Sequence, residues 1–452
     1  MPLDPVTMSA FVRFLFAFTI GSHILLVSAS IALIVIICIA EFVSIRRSDD
    51  IYGQLSRRLT RVFVVSFGVG TASGIVMAVE LVTLFPGFMT LVAQTGVIVL
   101  FYAEMFAFFL EILALVLFVY YRDAFRSRYV HWAVSLVVAA GTVASAVLIT
   151  MVNSWMNTPN GFDIAAYVSG GLKTVSQVQP LAAFMAPSAG SEIVHVLATT
   201  LFAGAMIIGC YFAFWFLRSR DAGERAMYSR ALKIIGAICV VTIILAGLTG
   251  SNEMASLLTL QPLKYSALDA NLNPGTNMPE RLFGSLSNGS FVGGVVVPGA
   301  QSFLARFETG TSYLPGLTQF PSTTWPPLFV HTTFNVMIVG GMVLGLYFLV
   351  YFAALLFRRR PYESRTLLRL MIPAAVLAVV VYELGWATDE IGRQPWIVYN
   401  VMTVGQAANV SSSLLVPGML IMAFYVVVVP AAFYFFARVF RDAGPEPGGA
   451  NR

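Results

Sequence analysis

The 452-residue chain is 58% hydrophobic and only 11% charged, with a net charge of +5 and a mean hydropathy of +0.82. Soluble domains carry about 25% charged residues, so the composition excludes a soluble globular enzyme and requires an integral membrane protein. The positive balance needs no nucleic acid to explain it, because the basic residues gather in the connections between apolar runs.

Nine of those runs are long enough to span a bilayer, at about 14–44, 61–86, 93–120, 130–152, 191–217, 232–250, 328–357, 367–391 and 416–440. The start, Met1-Pro2-Leu3-Asp4-Pro5, lacks the basic region of a signal peptide, and the first run is too long for one, so it reads as a retained helix. Alternate connections hold Arg46, Arg47, Arg57, Arg58 and Arg61; Arg122, Arg126 and Arg128; Arg218, Arg220, Arg225, Arg230 and Lys233. Arg358, Arg359, Arg360, Arg365 and Arg369 follow, then Arg438, Arg441 and Arg452. By the positive-inside rule these sides are cytoplasmic, which puts the N-terminus outside and the C-terminus inside. The expected fold is thus an all-α integral membrane domain over 1–452, with nine transmembrane helices and a short external loop at 251–327 between helices six and seven. A second long external connection covers 153–190. Cys38, Cys210 and Cys239 all fall in spans without metal or redox spacing, and read as core packing.

Ionisable residues inside spans are functional candidates by default. The densest group is Glu383-Leu-Gly-Trp386-Ala-Thr-Asp-Glu390-Ile-Gly-Arg393-Gln-Pro-Trp396. Seven residues are about two helical turns, so Glu383 and Glu390 share a face, with Arg393 at the interface. His23, His195, Met337 and Glu390 all fall in the outer half of the expected bilayer. His and Met form an axial pair for electron-transfer haem. On the residues alone, haem ligation and ordinary helix packing stay open.

The pattern Glu383-x-Gly385-Trp386-x-x-x-Glu390-x-Gly392-Arg393-Gln394-Pro395-Trp396 resembles subunit I of the cytochrome bd-type quinol oxidases. Other segments agree in chain order: Arg13-x-x-Phe16-Ala17-x-Thr19-x-x-x-His23; Phe67-x-x-Gly70-x-x-x-Gly74-x-x-Met77; Ala107-Phe-Phe-Leu-Glu111; and Ser145-Ala146 with Asn153-x-Trp155-Met156-x-x-Pro159. His195 and Phe334-x-x-Met337 stand at the family's histidine and methionine positions. The resemblance covers about 13–440 and implies the same nine-helix topology.

It also implies roles. His195 and Met337 would be axial ligands of a low-spin haem b, and His23 and Glu390 would serve a high-spin haem b and a haem d. Arg393 would neutralise a haem propionate or Glu390. Trp386 would lie between haems, with Arg13 in the same cofactor region. Gln261-x-x-Lys264-x-x-x-x-Asp269 resembles the quinol-binding Gln, Lys and acid, with Asp269 a shortened version of the usual Glu. Glu111, Glu104, Ser145 and Glu383 are the proton-path candidates. One departure is clear: a family glutamate position holds Ala103, and Glu104 stands beside it. Glu80 has no assigned role, and His131 and His331 read as structural. The implied function is a terminal quinol:oxygen oxidoreductase of a prokaryotic cell membrane, taking protons from the cytoplasm. Its partners would be quinol, oxygen, a second membrane subunit (subunit II or a homologue of this chain) and a small single-helix subunit. Two rivals remain: a family member without haem d that only transfers electrons, and a multi-helix transporter.

Overall fold

The computed structural model describes residues 4–287 and 289–441; Arg452 and the Pro/Gly-rich tail lie outside them. Nine long helices dominate, numbered here in chain order. They are α1 (Pro5–Arg47), α2 (Asp50–Leu84), α3 (Ile98–Tyr120), α4 (Arg128–Asn157), α5 (Ala189–Arg218), α6 (Ala222–Leu260), α7 (Val330–Leu356), α8 (Arg365–Gly392) and α9 (Leu415–Arg441). All nine expected runs fall on helices long and apolar enough to cross a membrane.

The helices start where the sequence supplies caps. The Asp4 carboxylate accepts from the Val6 and Thr7 amides, with Pro5 in the first turn of α1. Ser127 caps α4 and Asp221 caps α6 in the same way. Several helices outrun their apolar stretches. A bilayer core needs about 20 residues, whereas α1 has 43, α2 has 35 and α6 has 39. The apolar runs therefore understate the helix ends: α6 continues past 250 to Leu260, and α4 continues past 152 to Asn157. Polar residues such as Asn252, Glu253, Asn153 and Asn157 interrupt the hydropathy without breaking the helix. Pro262 then stops α6, because the residue before a proline is pushed out of the helical region.

Short connections join the helices at an arginine-rich end, and longer ones, at 158–188, 261–329 and 393–414, gather at the other, the loop end. The main core lies toward the arginine-rich end and includes Leu33, Ile37, Phe63, Phe212, Ile235, Phe348 and Tyr351. There α1 and α5 come so close that a Cβ on Gly204 would lie 1.9 Å from the Ser28 carbonyl oxygen, so only glycine fits. A smaller core with Leu15, Phe88, Leu91, Trp155 and Val398 packs the loop end.

The connection between α6 and α7 differs from the short loop expected at 251–327. It begins after Leu260 and is folded. It holds a helix at Pro262–Leu268, strands β1 (Glu280–Leu282), β2 (Ser285–Ser287), β3 (Ser290–Val292) and β4 (Val295–Val297), and a helix at Ala300–Thr309. β2 pairs antiparallel with β3, and β1 with β4 outside them. After α8, β5 (Trp396–Val398) and β6 (Met402–Thr403) form another antiparallel pair.

Candidate functional site

The four histidines divide into two kinds. Nδ1 of His23 on α1 lies 2.7 Å from Ser73 Oγ on α2. That hydroxyl donates its hydrogen to the Gly70 carbonyl at 2.7 Å, so the imidazole must be the donor at Nδ1. His195 on α5 repeats the arrangement: Nδ1 is 3.0 Å from Thr249 Oγ1 on α6, which donates to the Leu245 carbonyl at 2.7 Å. With the proton fixed on Nδ1, each ring keeps the Nε2 lone pair for an electrophile, as ligating histidines do. His131 and His331 use both ring nitrogens. His131 Nε2 is 2.9 Å from the Phe118 carbonyl and Nδ1 is 3.3 Å from Glu41 Oε2. His331 Nδ1 is 2.6 Å from the Leu268 carbonyl and Nε2 is 3.1 Å from that of Phe283, pinning two parts of the long connection to α7.

Glycines stand against the other candidate groups as well. A Cβ on Gly74 would lie 3.3 Å from His23 Cε1, and one on Gly250 would lie 3.2 Å from His195 Cε1. Gly385 on α8 faces the Met337 sulfur of α7 at 3.4 Å by the same measure, and Gly21 faces Glu383 Oε2 at 3.1 Å. Gly70 is buried, yet a Cβ there would meet nothing within 4 Å. Buried oxygens without a hydrogen bond among the described residues, Glu80 Oε1 and Glu383 Oε1, belong to the same helices. Oriented imidazoles, a thioether and unsatisfied carboxylate oxygens fit the requirements of haem groups at these positions.

At the loop end of α8 a polar network surrounds Asn157. Arg393, only 1% exposed, donates from Nη1 to Asn157 Oδ1 at 2.8 Å and from Nη2 to Glu390 Oε2 at 2.6 Å. Asn153 Nδ2 donates to Glu390 Oε1 at 2.7 Å. Asn157 Nδ2 reaches Glu192 Oε1 at 3.1 Å and Asp389 Oδ1 at 3.2 Å, while Ser154 Oγ donates to Glu192 Oε2 at 2.5 Å. Lys264 Nζ donates to Asp389 Oδ1 as an ion pair. Gln261 Nε2 donates to the Asn157 carbonyl at 2.6 Å, and its buried Oε1 has no hydrogen bond among the described residues. Arg13 Nη2 joins from α1 by donating to Gln394 Oε1 at 2.9 Å. Trp386 is half-buried on α8, one turn before Glu390.

Gln261 and Lys264 are brought together here, but Asp269 is not. It lies beyond the helix Pro262–Leu268 and accepts from Gln301 Nε2. Burial pushes its carboxyl well above the ordinary carboxylate range, and the charge of Glu280 adds to the shift. Arg281, which donates to Asn271 Oδ1 at 2.7 Å, has its own value lowered by burial.

On α3, Glu104 accepts from Ser145 Oγ at 2.7 Å and Glu111 accepts from Thr142 Oγ1, so both acids face α4. Glu80 accepts from Thr19 Oγ1 at 2.6 Å, which gives this acid a partner. Asn157, Asp389, Glu192, Glu253, Ser73, Thr249 and Thr142 were not among the sequence candidates. The acids at 192 and 389, inside expected spans, carried the same signal as Glu383, the cost of charge in hydrocarbon, whereas Glu253 fell in a stretch that read as loop. The hydroxyls carried none, since serine and threonine commonly bond back to their own helix.

Nine membrane-length helices with ligand-ready imidazoles at their core describe a polytopic membrane oxidoreductase. The model of the family described as cytochrome bd terminal oxidase subunit I matches residues 11–444, and the chain belongs to that family. A Bacillus subtilis (strain 168) relative, named for a cytochrome bd menaquinol oxidase subunit I, is 30% identical over 438 residues, 95% of this chain and 96% of the relative. The cytochrome bd ubiquinol oxidase subunit 1 of the same organism is 26% identical, covering 88% of this chain and 85% of the relative. The fold matches the bd oxidase structure from Geobacillus thermodenitrificans with a TM-score of 0.87 and 30% identity, over 98% of this chain and all of that one. The chain is therefore an oxidoreductase subunit, a multi-pass membrane protein of a terminal quinol oxidase that works beside a subunit II.

Proposed function

We propose that the chain is the haem-bearing subunit, with His195 and Met337 holding a low-spin haem b, and His23 and Glu390 serving a high-spin haem b and a haem d. The observation that carries this reading is the division of the histidines: the two at family ligand positions keep Nε2 free, and the other two do not. When bound, the haems supply one-electron transfer and the binding and reduction of oxygen.

The chain's own residues do the rest. Gln261 Oε1 accepts a hydrogen bond from a quinol hydroxyl, and Lys264 presents its ammonium in the same pocket. Asp269 stands behind them and holds the connection closed through Gln301. Arg393 balances the charge of Glu390 and of any carboxylate brought beside it, and Arg13 steadies the following segment through Gln394. Trp386, half-buried on α8, would lie between the haems. Glu104 with Ser145 and Glu111 with Thr142 form the proton path along α4, and Glu383, which packs against Gly21 of α1, joins it. The N-terminus lies outside and the arginine-rich end lies in the cytoplasm of a prokaryotic cell, so quinol protons leave outside and the consumed protons enter from within. That separates charge without a pump. A second membrane subunit, subunit II or a homologue of this chain, and a small single-helix subunit complete the assembly.

The test is a reduced-minus-oxidised absorption spectrum of the purified protein with haem extraction. Haem b bands with a far-red chlorin band support the full reading; haem b alone removes haem d from it. Absence of a Soret band overturns it.

A further inference from the structure

Lys264 is only 4% exposed and stands three residues after Gln261, whose buried Oε1 has no hydrogen bond among the described residues. A buried ammonium needs a fixed counter-charge, or it swings away or loses its proton. The resemblance places the acid of this pocket at position 269, and the structure ties Asp269 to Gln301 instead. The carboxylate that does meet Lys264 is Asp389 on α8. The groove for the lysine is built by the same helix. A Cβ on Gly392 would lie 3.0 Å from both Cγ and Cε of Lys264, so the stem rests on glycine while the head rests on Asp389. Asn157 ties this arrangement to Gln261: its carbonyl accepts from Gln261 Nε2 at 2.6 Å, and its Nδ2 reaches Asp389 Oδ1 at 3.2 Å.

We propose that Asp389 is a positioning residue of the quinol pocket in this chain, fixing the Lys264 ammonium against α8, while Asp269 locks the connection. This rests on the reading that quinol binds at Gln261 and Lys264. Asp389 does not touch the quinol; it acts through Lys264. The pair sets where the ammonium meets a quinol oxygen, and so governs affinity more than turnover.

The test uses the complete oxidase with a short-chain ubiquinol and a short-chain menaquinol as substrates. Asp389→Asn is expected to raise KM at least tenfold with kcat changed less than threefold and the haem spectrum intact. Asp389→Glu restores KM to within threefold of the parent. In a Lys264→Ala background, Asp389→Asn adds less than a twofold further change, because the two act as one unit. Gly392→Ala, which crowds the lysine stem without removing a charge, raises KM in the same direction and serves if Asp389→Asn does not assemble. An unchanged KM in Asp389→Asn and Gly392→Ala, or effects of Asp389→Asn and Lys264→Ala that multiply, would overturn the proposal. If Gln261→Ala and Lys264→Ala also leave KM unaltered with the haem spectrum intact, the quinol-pocket reading itself is wrong. If those two raise KM and Asp269→Asn raises it more than Asp389→Asn, the pocket stands and Asp389 is not its positioning acid.

Discussion

The bundle contains two buried ionic clusters, one at each end, and they are built to different ends. At the arginine-rich end, Glu41 Oε1 accepts from Ser56 Oγ at 3.0 Å and from Arg122 Nη2 at 3.2 Å, while Oε2 stands 3.3 Å from His131 Nδ1. His131 Nε2 is bonded as well, and Phe118 stacks on the ring at 4.6 Å. These contacts tie α1 to α2, to α4 and to the turn after α3, and α4 to α3, so the cluster is a clamp. At the loop end, the network around Asn157 also joins several helices, but it leaves Gln261 Oε1, Glu253 Oε1 and Arg393 Nε buried and unpartnered among the described residues. Buried polar groups are nearly always bonded. Glu41 Oε2 also lacks a hydrogen bond among the described residues, but it faces the His131 ring at 3.3 Å, whereas the orphans of the loop end belong to several side chains around one network. The contrast is thus one of degree, between a cluster whose groups mostly meet one another and one with room for a ligand.

The largest effect that would break this contrast is in the clamp. Glu41→Ala leaves His131 and Arg122 without their shared carboxylate, and breaking such a buried pair costs about 3–5 kcal/mol. Thermal unfolding in detergent should show a clear fall in midpoint, with the haem bands of the surviving protein unchanged. A shifted spectrum at full stability would mean that the clamp is functional.

A smaller effect is expected where hydroxyls orient the imidazoles. Ser73→Ala and Thr249→Val remove the acceptors that keep the proton on Nδ1. Outer-shell changes of this kind typically cost about 10–100-fold in metal affinity. Haem content per protein should fall for the site concerned and not for the other, and stability should change little. Equal loss at both sites would point to general unfolding.

The smallest effect concerns Asp269. Its folded carboxyl holds its proton more tightly than the unfolded chain does, because burial raises its value. Its contribution to stability is thus complete at low pH and is lost as pH rises through the raised value. Asp269→Asn should flatten the alkaline decline of the unfolding midpoint. A decline of unchanged slope would show that Asp269 is ionised in the native state.

Much of the fold was legible because apolar length is a one-dimensional signal. The run at 367–391 became α8 almost residue for residue. What was not legible depended on contacts across the chain. Asn157 lies 236 positions from Arg393 and 104 from Gln261, so no local pattern marks it as the centre of a network. The polar last turns of α4 and α6 read as loop, although they carry Asn153, Asn157 and Glu253. Asp269 had the right offset from Lys264 and still points elsewhere, because the helix Pro262–Leu268 ends between them and sends the two side chains to different neighbours. His131 and His331 were separated from His23 and His195 by family position alone; the physical reason, the occupation of both ring nitrogens, needed coordinates.

The free Nε2 of His195 and the fully bonded ring of His331 can be compared in one paired measurement. Reduced-minus-oxidised spectra of the assembled His195→Ala and His331→Ala proteins should differ completely. The low-spin haem b signal should be lost in His195→Ala and fully retained in His331→Ala. Persistence of that signal without His195, or its disappearance without His331, would contradict that division of the histidines.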